Sequence, residues 1–169
     1  MTNIILRPLT PEDRERFITD NQEAFNYGAL EEFGLRDNHF EEDGQIISRK
    51  CIEESINSGE AYRIVSDGEV VGGAVLKTEE DKGDLELLFV SPKRHSRGIG
   101  QAAWKAIETL YPEVKVWTTC TPYFEKRNIH FYVNRLGFKV TEFYCSHHPS
   151  KDGDPEEFFK FEKIIRKDD

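Results

Sequence analysis

Hydrophobic and polar positions change their period several times along the chain, and each change marks an element. Ile4-Ile5-Leu6-Arg7-Pro8-Leu9 predicts a short strand. Thr10-Pro11-Glu12-Asp13 predicts a helix start, with Thr10 as cap, Pro11 at the first helical position and acids in the first turn. The helix that follows carries Phe17, Ile18, Asn21, Ala24 and Phe25, and frays around Tyr27-Gly28 and Gly34. A second helix is predicted from about Phe40 to Ser58, with Ile47, Cys51, Ile52 and Ile56 inside and Asn57-Ser58-Gly59 as its stop.

The period then shortens to that of strands. Ala61 to Ser66 and Val70 to Leu76 flank Asp67-Gly68, a strong hairpin signal. Asp84 to Val90 is the next strand, closed by Ser91-Pro92. Gly98 to Tyr111 is a helix with Ile99, Ala103, Ala106, Ile107 and Leu110 on one face and Pro112 as its stop. Val114 to Thr119 reads as a strand, Asn128 to Leu136 as a helix ended by Gly137, and Phe138 to Cys145 as a strand. Beyond a polar turn from His147 to Pro155, Phe158 to Ile165 makes the last strand. The order β-α-α-β-β-β-α-β-α-β-β implies an α/β chain of mixed α+β type, a mixed sheet with helices packed on its faces. No linker, repeat or low-complexity tract divides it, so residues 1–169 are expected to form a single domain.

Composition removes several classes. Twelve Phe, 6 Tyr and 2 Trp can bury too much apolar surface for a disordered chain. No apolar run approaches the roughly 20 residues of a membrane span, and a charge and a proline interrupt the N-terminus before a signal peptide could form. Cys51, Cys120 and Cys145 are widely spaced, which suits reduced thiols in the cytoplasm. A net charge of -9 argues against nucleic acid as a partner. Residues 1–60 hold 14 acids and 6 bases, net -8, so the negative field belongs to the N-terminal third. It reads either as a solvated helical surface or as a cleft that attracts a cationic ligand. His147 and His148 are adjacent on a turn, where two side chains rarely converge on one ion, so no metal is expected.

The segment from Leu85 to Gln101 carries the chemistry. An apolar strand runs into Lys93, Arg94 and Arg97, then into Gly98 and Gly100 at the mouth of an amphipathic helix. A helix start offers N–H groups and a partial positive charge to a phosphate, and glycine lets the backbone approach it. Gly98-Ile99-Gly100-Gln101-Ala102-Ala103 also satisfies the dinucleotide pattern G-x-G-x-x-A. That reading needs the glycines directly after the strand, and seven residues lie between Val90 and Gly98. Glu86 is a further oddity, a charge within an apolar run, on the same strand face as Leu88 and Val90. Such a charge wants a partner, as in an ion pair with a neighbouring strand, or a functional role, and the two explain it equally well. Cys120, just past the fifth strand, is expected to take a small buried apolar role rather than to line the cleft, and His130 to be helix packing or surface.

Val90-Ser91-Pro92-Lys93-Arg94-His95-Ser96-Arg97-Gly98-Ile99-Gly100 resembles the acetyl-CoA motif of the GNAT superfamily of N-acetyltransferases, Q/R-x-x-G-x-G/A, with His95 where Gln or Arg is usual. Asn128-Ile129-His130-Phe131-Tyr132 followed by Leu136-Gly137-Phe138 is similar to that superfamily's second motif, N-x-x-A-x-x-F/L-Y-x-x-x-G-F. Tyr132 lies five residues before Gly137 rather than four, and Asn128 four before Tyr132 rather than seven, which implies a shorter helix with an extra residue at its end.

The resemblance implies a GNAT-type, mostly antiparallel sheet and direct transfer of acetyl from acetyl-CoA, as cosubstrate, to a primary amine. By that analogy Leu88, Phe89 and Val90 supply backbone contacts, with Val90 N–H as oxyanion donor. Arg94, His95, Ser96, Arg97, Gly98, Ile99, Gly100 and Gln101 would hold the pyrophosphate, and Asn128 would contact the cofactor. Tyr132 would be the general acid and Glu86 the general base. The rival reading of Tyr132 is a core aromatic beside Phe131. The acidic N-terminal third points to a small cationic amine as acceptor, and relatives commonly form homodimers through their C-terminal strands. Two other classes stay open: an acyl-CoA-binding module with weak or no transfer, and a thioesterase.

Overall fold

In the computed structural model, which describes residues 3–33, 44–94, 98–123, 125–153 and 156–165 (the side chains of 29–33 and 126 excepted), element boundaries follow local chemistry. Strand β1 (Ile4–Pro8) leads through a 3-10 turn, Pro11–Asp13, into helix α1 (Arg14–Phe33). Thr10 is extended, and its carbonyl accepts the Asp13 N–H at 3.1 Å while its hydroxyl makes no cap bond. The helix therefore opens later than the Thr10-Pro11 signal suggests, and it runs through Gly28. Helix α2 (Arg49–Ser58) begins well after the predicted Phe40. Ser48 sets that start, its Oγ accepting the Cys51 N–H at 3.1 Å, which satisfies an amide the helix itself cannot. Residues 40–43 of the expected helix lie outside the described residues.

Strands β2 (Glu60–Ser66) and β3 (Glu69–Glu79) join through Asp67 and Gly68, both at positive φ, as a two-residue primed turn requires. Strand β4 (Lys82–Val90) follows a second tight turn at Glu80-Asp81. Then come α3 (Ile99–Leu110), β5 (Val116–Pro122), α4 (Lys126–His130), a π-helical turn (Phe131–Arg135), β6 (Lys139–Tyr144) and β7 (Phe158–Ile164). The sheet order is β1-β2-β3-β4-β5-β7-β6. The β1–β2, β2–β3, β5–β7 and β6–β7 pairs are antiparallel; β4 pairs parallel with β5 over Lys82–Asp84 against Val116–Thr118. This is the expected mixed, mostly antiparallel sheet.

The chain divides into two compact units, Met1–Lys77 with Leu85–Pro112, and Thr78–Asp84 with Glu113–Asp169. In the first, Leu87 and Phe89 of β4 pack with Phe17, Ile18, Ile47, Ile52 and Val75, so α1 and α2 cover one strand face. Leu88 and Val90, on the opposite face, pack against Ile64, Val71, Ile99 and Ala103, which brings in α3. Arg63 of β2 is 2% exposed, and its guanidinium pairs with Asp13 at 3.0 Å and Asp20 at 2.6 Å over the Phe17 ring. In the second unit Trp117, Phe138, Leu136 and Phe161 form the core, and Gly83 is bare because a Cβ there would lie 2.5 Å from the Trp117 ring. Among the described residues no helix is long and apolar enough to cross a membrane.

Candidate active site

The first unit carries the end of β4 and the basic turn. Burial alternates along β4, with Leu85, Leu87 and Phe89 buried and Glu86, Leu88 and Val90 half-buried, as the strand period requires. Phe89 meets Phe17 edge to face, with ring centroids 5.1 Å apart. The backbone here is crowded. A Cβ on Gly72 would fall 2.2 Å from the Phe89 carbonyl oxygen, and one on Gly73 would enter the Phe17 and Phe89 rings. The β2–β3 register also shifts between Ile64 and Val65, and Ser91 N–H donates to the Val71 carbonyl at 2.7 Å. Glycines inside a strand mark such close approach, so Gly72-Gly73 was the available signal that the Phe89–Val90 segment is held from beside it.

Glu86 forms an ion pair with Lys77 of β3, Nζ to Oε1 3.1 Å. Of its two expected roles this is the structural one, and a base at this position must first leave Lys77. Arg94 closes a 3-10 turn, Pro92–Arg94, and its guanidinium engages the Glu69 carboxylate. His95, Ser96 and Arg97 lie outside the described residues. Gly98 is exposed at φ +72° with no atom near its missing Cβ, a conformation that glycine alone adopts freely. Ile99, Gly100 and Gln101 then form the first turn of α3. No acid stands in that turn, and the Ala102 N–H is bonded to the Gly98 carbonyl at 3.0 Å. A helix start without its own carboxylate keeps its positive end for an external anion.

The second unit carries Tyr132. Asn128, on α4, donates to the Thr121 hydroxyl at 3.2 Å. Tyr132 follows one turn later, in the π-helical turn, where Leu136 N–H reaches back five residues to the Phe131 carbonyl at 3.1 Å. This wider turn accommodates the extra residue between Tyr132 and Gly137, and Gly137 then reverses the chain at φ +85°. Tyr132 is 7% exposed, among the rings of Phe131, Phe138 and Phe161 at 5.5, 5.7 and 5.4 Å. Burial pushes its phenol up to about 12, the Thr119 hydroxyl bonded to it works the other way, and the Glu125 carboxylate and Cys120 thiol add to the rise.

Several contacts here had no sequence signal strong enough to find them. Thr119, Thr121 and Glu125 are buried polar residues, and Lys77 and Glu69 hold Glu86 and Arg94. Cys120 is exposed, contrary to the buried role expected of it, because it alternates with buried Thr119 and Thr121 on β5. His130 is exposed beside Asn134, and His148 pairs with Glu142 at 3.1 Å. Among the described residues no group of three or more His, Cys, Asp or Glu is placed to hold a metal ion.

Residues 15–138 match the acetyltransferase (GNAT) family. An uncharacterised protein of Bacillus subtilis (strain 168), YrkN, is 43% identical over 182 aligned positions, which span 98% of this chain and 96% of the relative. Among solved structures, the ribosomal-protein-S18-alanine N-acetyltransferase of Escherichia coli superposes with a TM-score of 0.68 at 17% identity, covering 98% of this chain and 94% of that one. The spermidine N-acetyltransferase of Vibrio cholerae, solved in complex with CoA and spermine, gives 0.64 at 11% identity and covers 95% of each chain.

Proposed function

The chain belongs to the GNAT acetyltransferase family, and on that premise we propose that it moves acetyl from acetyl-CoA to the primary amine of a small cationic acceptor, by direct attack on the thioester. Residues 1–169 act as one N-acetyltransferase domain, working in the cytoplasm. The observation that carries the reading is the start of α3. A positive-φ glycine follows a basic turn and opens a helix whose first turn has no acid. That arrangement suits a diphosphate. Arg94 to Gln101 grip the pyrophosphate, with Arg94 exchanging Glu69 for it, and the backbone of Leu88, Phe89 and Val90 takes the pantetheine arm and the acetyl oxygen. Tyr132 protonates the departing thiolate, a role its burial supports by keeping the phenol neutral across the working pH range.

Glu86 as base has weaker support, since Lys77 already occupies it. Asn128 likewise has a partner in Thr121 within its own unit, so its place at the cofactor is secondary to that bond. The cationic acceptor rests on the acid-rich first 60 residues. The Vibrio cholerae enzyme, with its bound spermine, is a fold neighbour that handles such an amine.

Release of CoA thiol with and without a panel of amines (spermidine, an aminoglycoside, a basic amino acid, an alanyl peptide) tests the reading. A transferase releases thiol only with amine, a thioesterase without it, and a binding module not at all while still gaining thermal stability from acetyl-CoA. Tyr132→Phe is expected to lower turnover on the order of a hundredfold with acetyl-CoA affinity nearly intact. For Glu86→Gln, a pH–rate profile that keeps its acidic limb removes the base assignment.

A further inference from the structure

Two polar side chains one helical turn apart meet two threonines two residues apart on β5. Asn128 donates to Thr121, and the Thr119 hydroxyl bonds the Tyr132 phenol. Both threonines are 2% exposed, at inward positions where a valine would pack without needing a partner. Their hydroxyls are therefore committed to the side chains of α4 and the π-helical turn.

We infer that Thr119 is a positioning residue for acetyl transfer, holding the Tyr132 oxygen in place and donating to it as the phenol gives up its proton. This rests on the reading of Tyr132 as the acid. In the step itself, the amine nitrogen bonds to the acetyl carbon and the C–S bond breaks with its electron pair on sulfur. Sulfur takes the proton from Tyr132 Oη. The phenolate left behind accepts the Thr119 O–H until solvent returns a proton to it, and the acylated nitrogen loses its extra proton to solvent.

The need for such a donor follows from the surroundings. An ordinary thiol has a pKa of about 8.5, while Tyr132 is pushed up to about 12, so the transfer leaves a costly buried phenolate. The titratable groups bearing on it are Glu125, before α4, whose carboxylate opposes its charge, and Cys120 on β5, which does so only as a thiolate. Phe131, Phe138 and Phe161 supply rings. Thr119 is the contact that favours it.

The test compares Thr119→Val, Thr119→Ser, Tyr132→Phe and the Thr119→Val/Tyr132→Phe double variant in the full chain, with acetyl-CoA and the fastest amine of the panel. Thr119→Val is expected to lower kcat about tenfold, the worth of one hydrogen bond to a charged oxygen, with KM for acetyl-CoA unchanged. Thr119→Ser should restore most of the rate, and Thr119→Val should cost nothing further once Tyr132 is Phe. Where Val disturbs packing, Thr119→Ala with melting temperature as control gives the same comparison. A loss of equal size in the Tyr132→Phe background, a loss shared by Thr119→Ser, or full turnover in Thr119→Val beside a slow Tyr132→Phe overturns the inference alone. Full turnover in Tyr132→Phe overturns the reading of Tyr132 on which it stands.

Discussion

A tyrosine in water titrates near pH 10, and desolvation pushes Tyr132 up to about 12. The neutral phenol is thus favoured by folding. Below about pH 10 both folded and unfolded chains keep this proton, and the contribution is fully present. As pH rises towards 12 the unfolded chain ionises first, and the contribution drains away, about 3 kcal/mol in all. Tyr132→Phe should therefore lose less stability than the parent between about pH 10 and about pH 12, read from urea midpoints across that range. Tyr62, Tyr111 and Tyr144 are raised too, so both proteins retain a common alkaline slope and the difference isolates Tyr132. Coincident slopes would mean that the phenol reaches water in the folded state.

At the scale of elements, legibility depended on whether the cause was local. Asp67-Gly68 could be read as a hairpin because its residue types dictate the turn, and both φ angles are positive. The start of α2 was misread because an apolar period can extend past a helix end, whereas Ser48 fixes the end by one side-chain bond. The spacing from Tyr132 to Gly137 disclosed an extra residue but not that a π-helical turn would absorb it, since residue types do not distinguish a widened turn from a loop one residue longer. Arg63 was opaque for a different reason. It sits in a strand, yet its partners Asp13 and Asp20 come from the turn before α1 and from α1 itself, far away in sequence. That cluster ties α1 to β2. Arg63→Met should keep the packing on Phe17 but leave Asp13 without its cation and Asp20 with only the longer Arg16 pair at 3.6 Å. Because both carboxylates are 28% exposed and can rehydrate, the expected cost is about 2 kcal/mol, below the roughly 3–5 of a fully buried pair. Adding Asp13→Asn and Asp20→Asn should recover much of it in urea unfolding; a triple variant no more stable than Arg63→Met would show that the ion pair is not the tether.

Over the whole molecule, a net charge of -9 would act in opposite directions on anionic acetyl-CoA and on the cationic acceptor proposed for it. The acids of the N-terminal third do not all contribute equally. Glu15 and Glu53 share Arg49, Asp13 and Asp20 share Arg63 with Arg16 also beside Asp20, and Glu54 faces Lys50. In this third of the sequence an acid-rich run extends from Glu31 to Asp43, where Glu31, Glu32, Asp37, Glu41, Glu42 and Asp43 stand against Arg36. If this segment attracts a cationic acceptor, its field should be screened as the Debye length shrinks from about 30 Å at 0.01 M salt to about 10 Å at 0.1 M. The KM for the cationic amine should then rise with salt. The KM for acetyl-CoA, an anion approaching an acidic protein, should stay level or fall. Opposite responses of the two substrates in one enzyme separate attraction from any general effect of salt on folding. Replacing the six acids of the segment with their amides should remove the salt dependence for the amine and leave acetyl-CoA saturation as it was. A polyamine and a neutral amine responding alike, before and after that replacement, would return the acids to the role of a solvated surface.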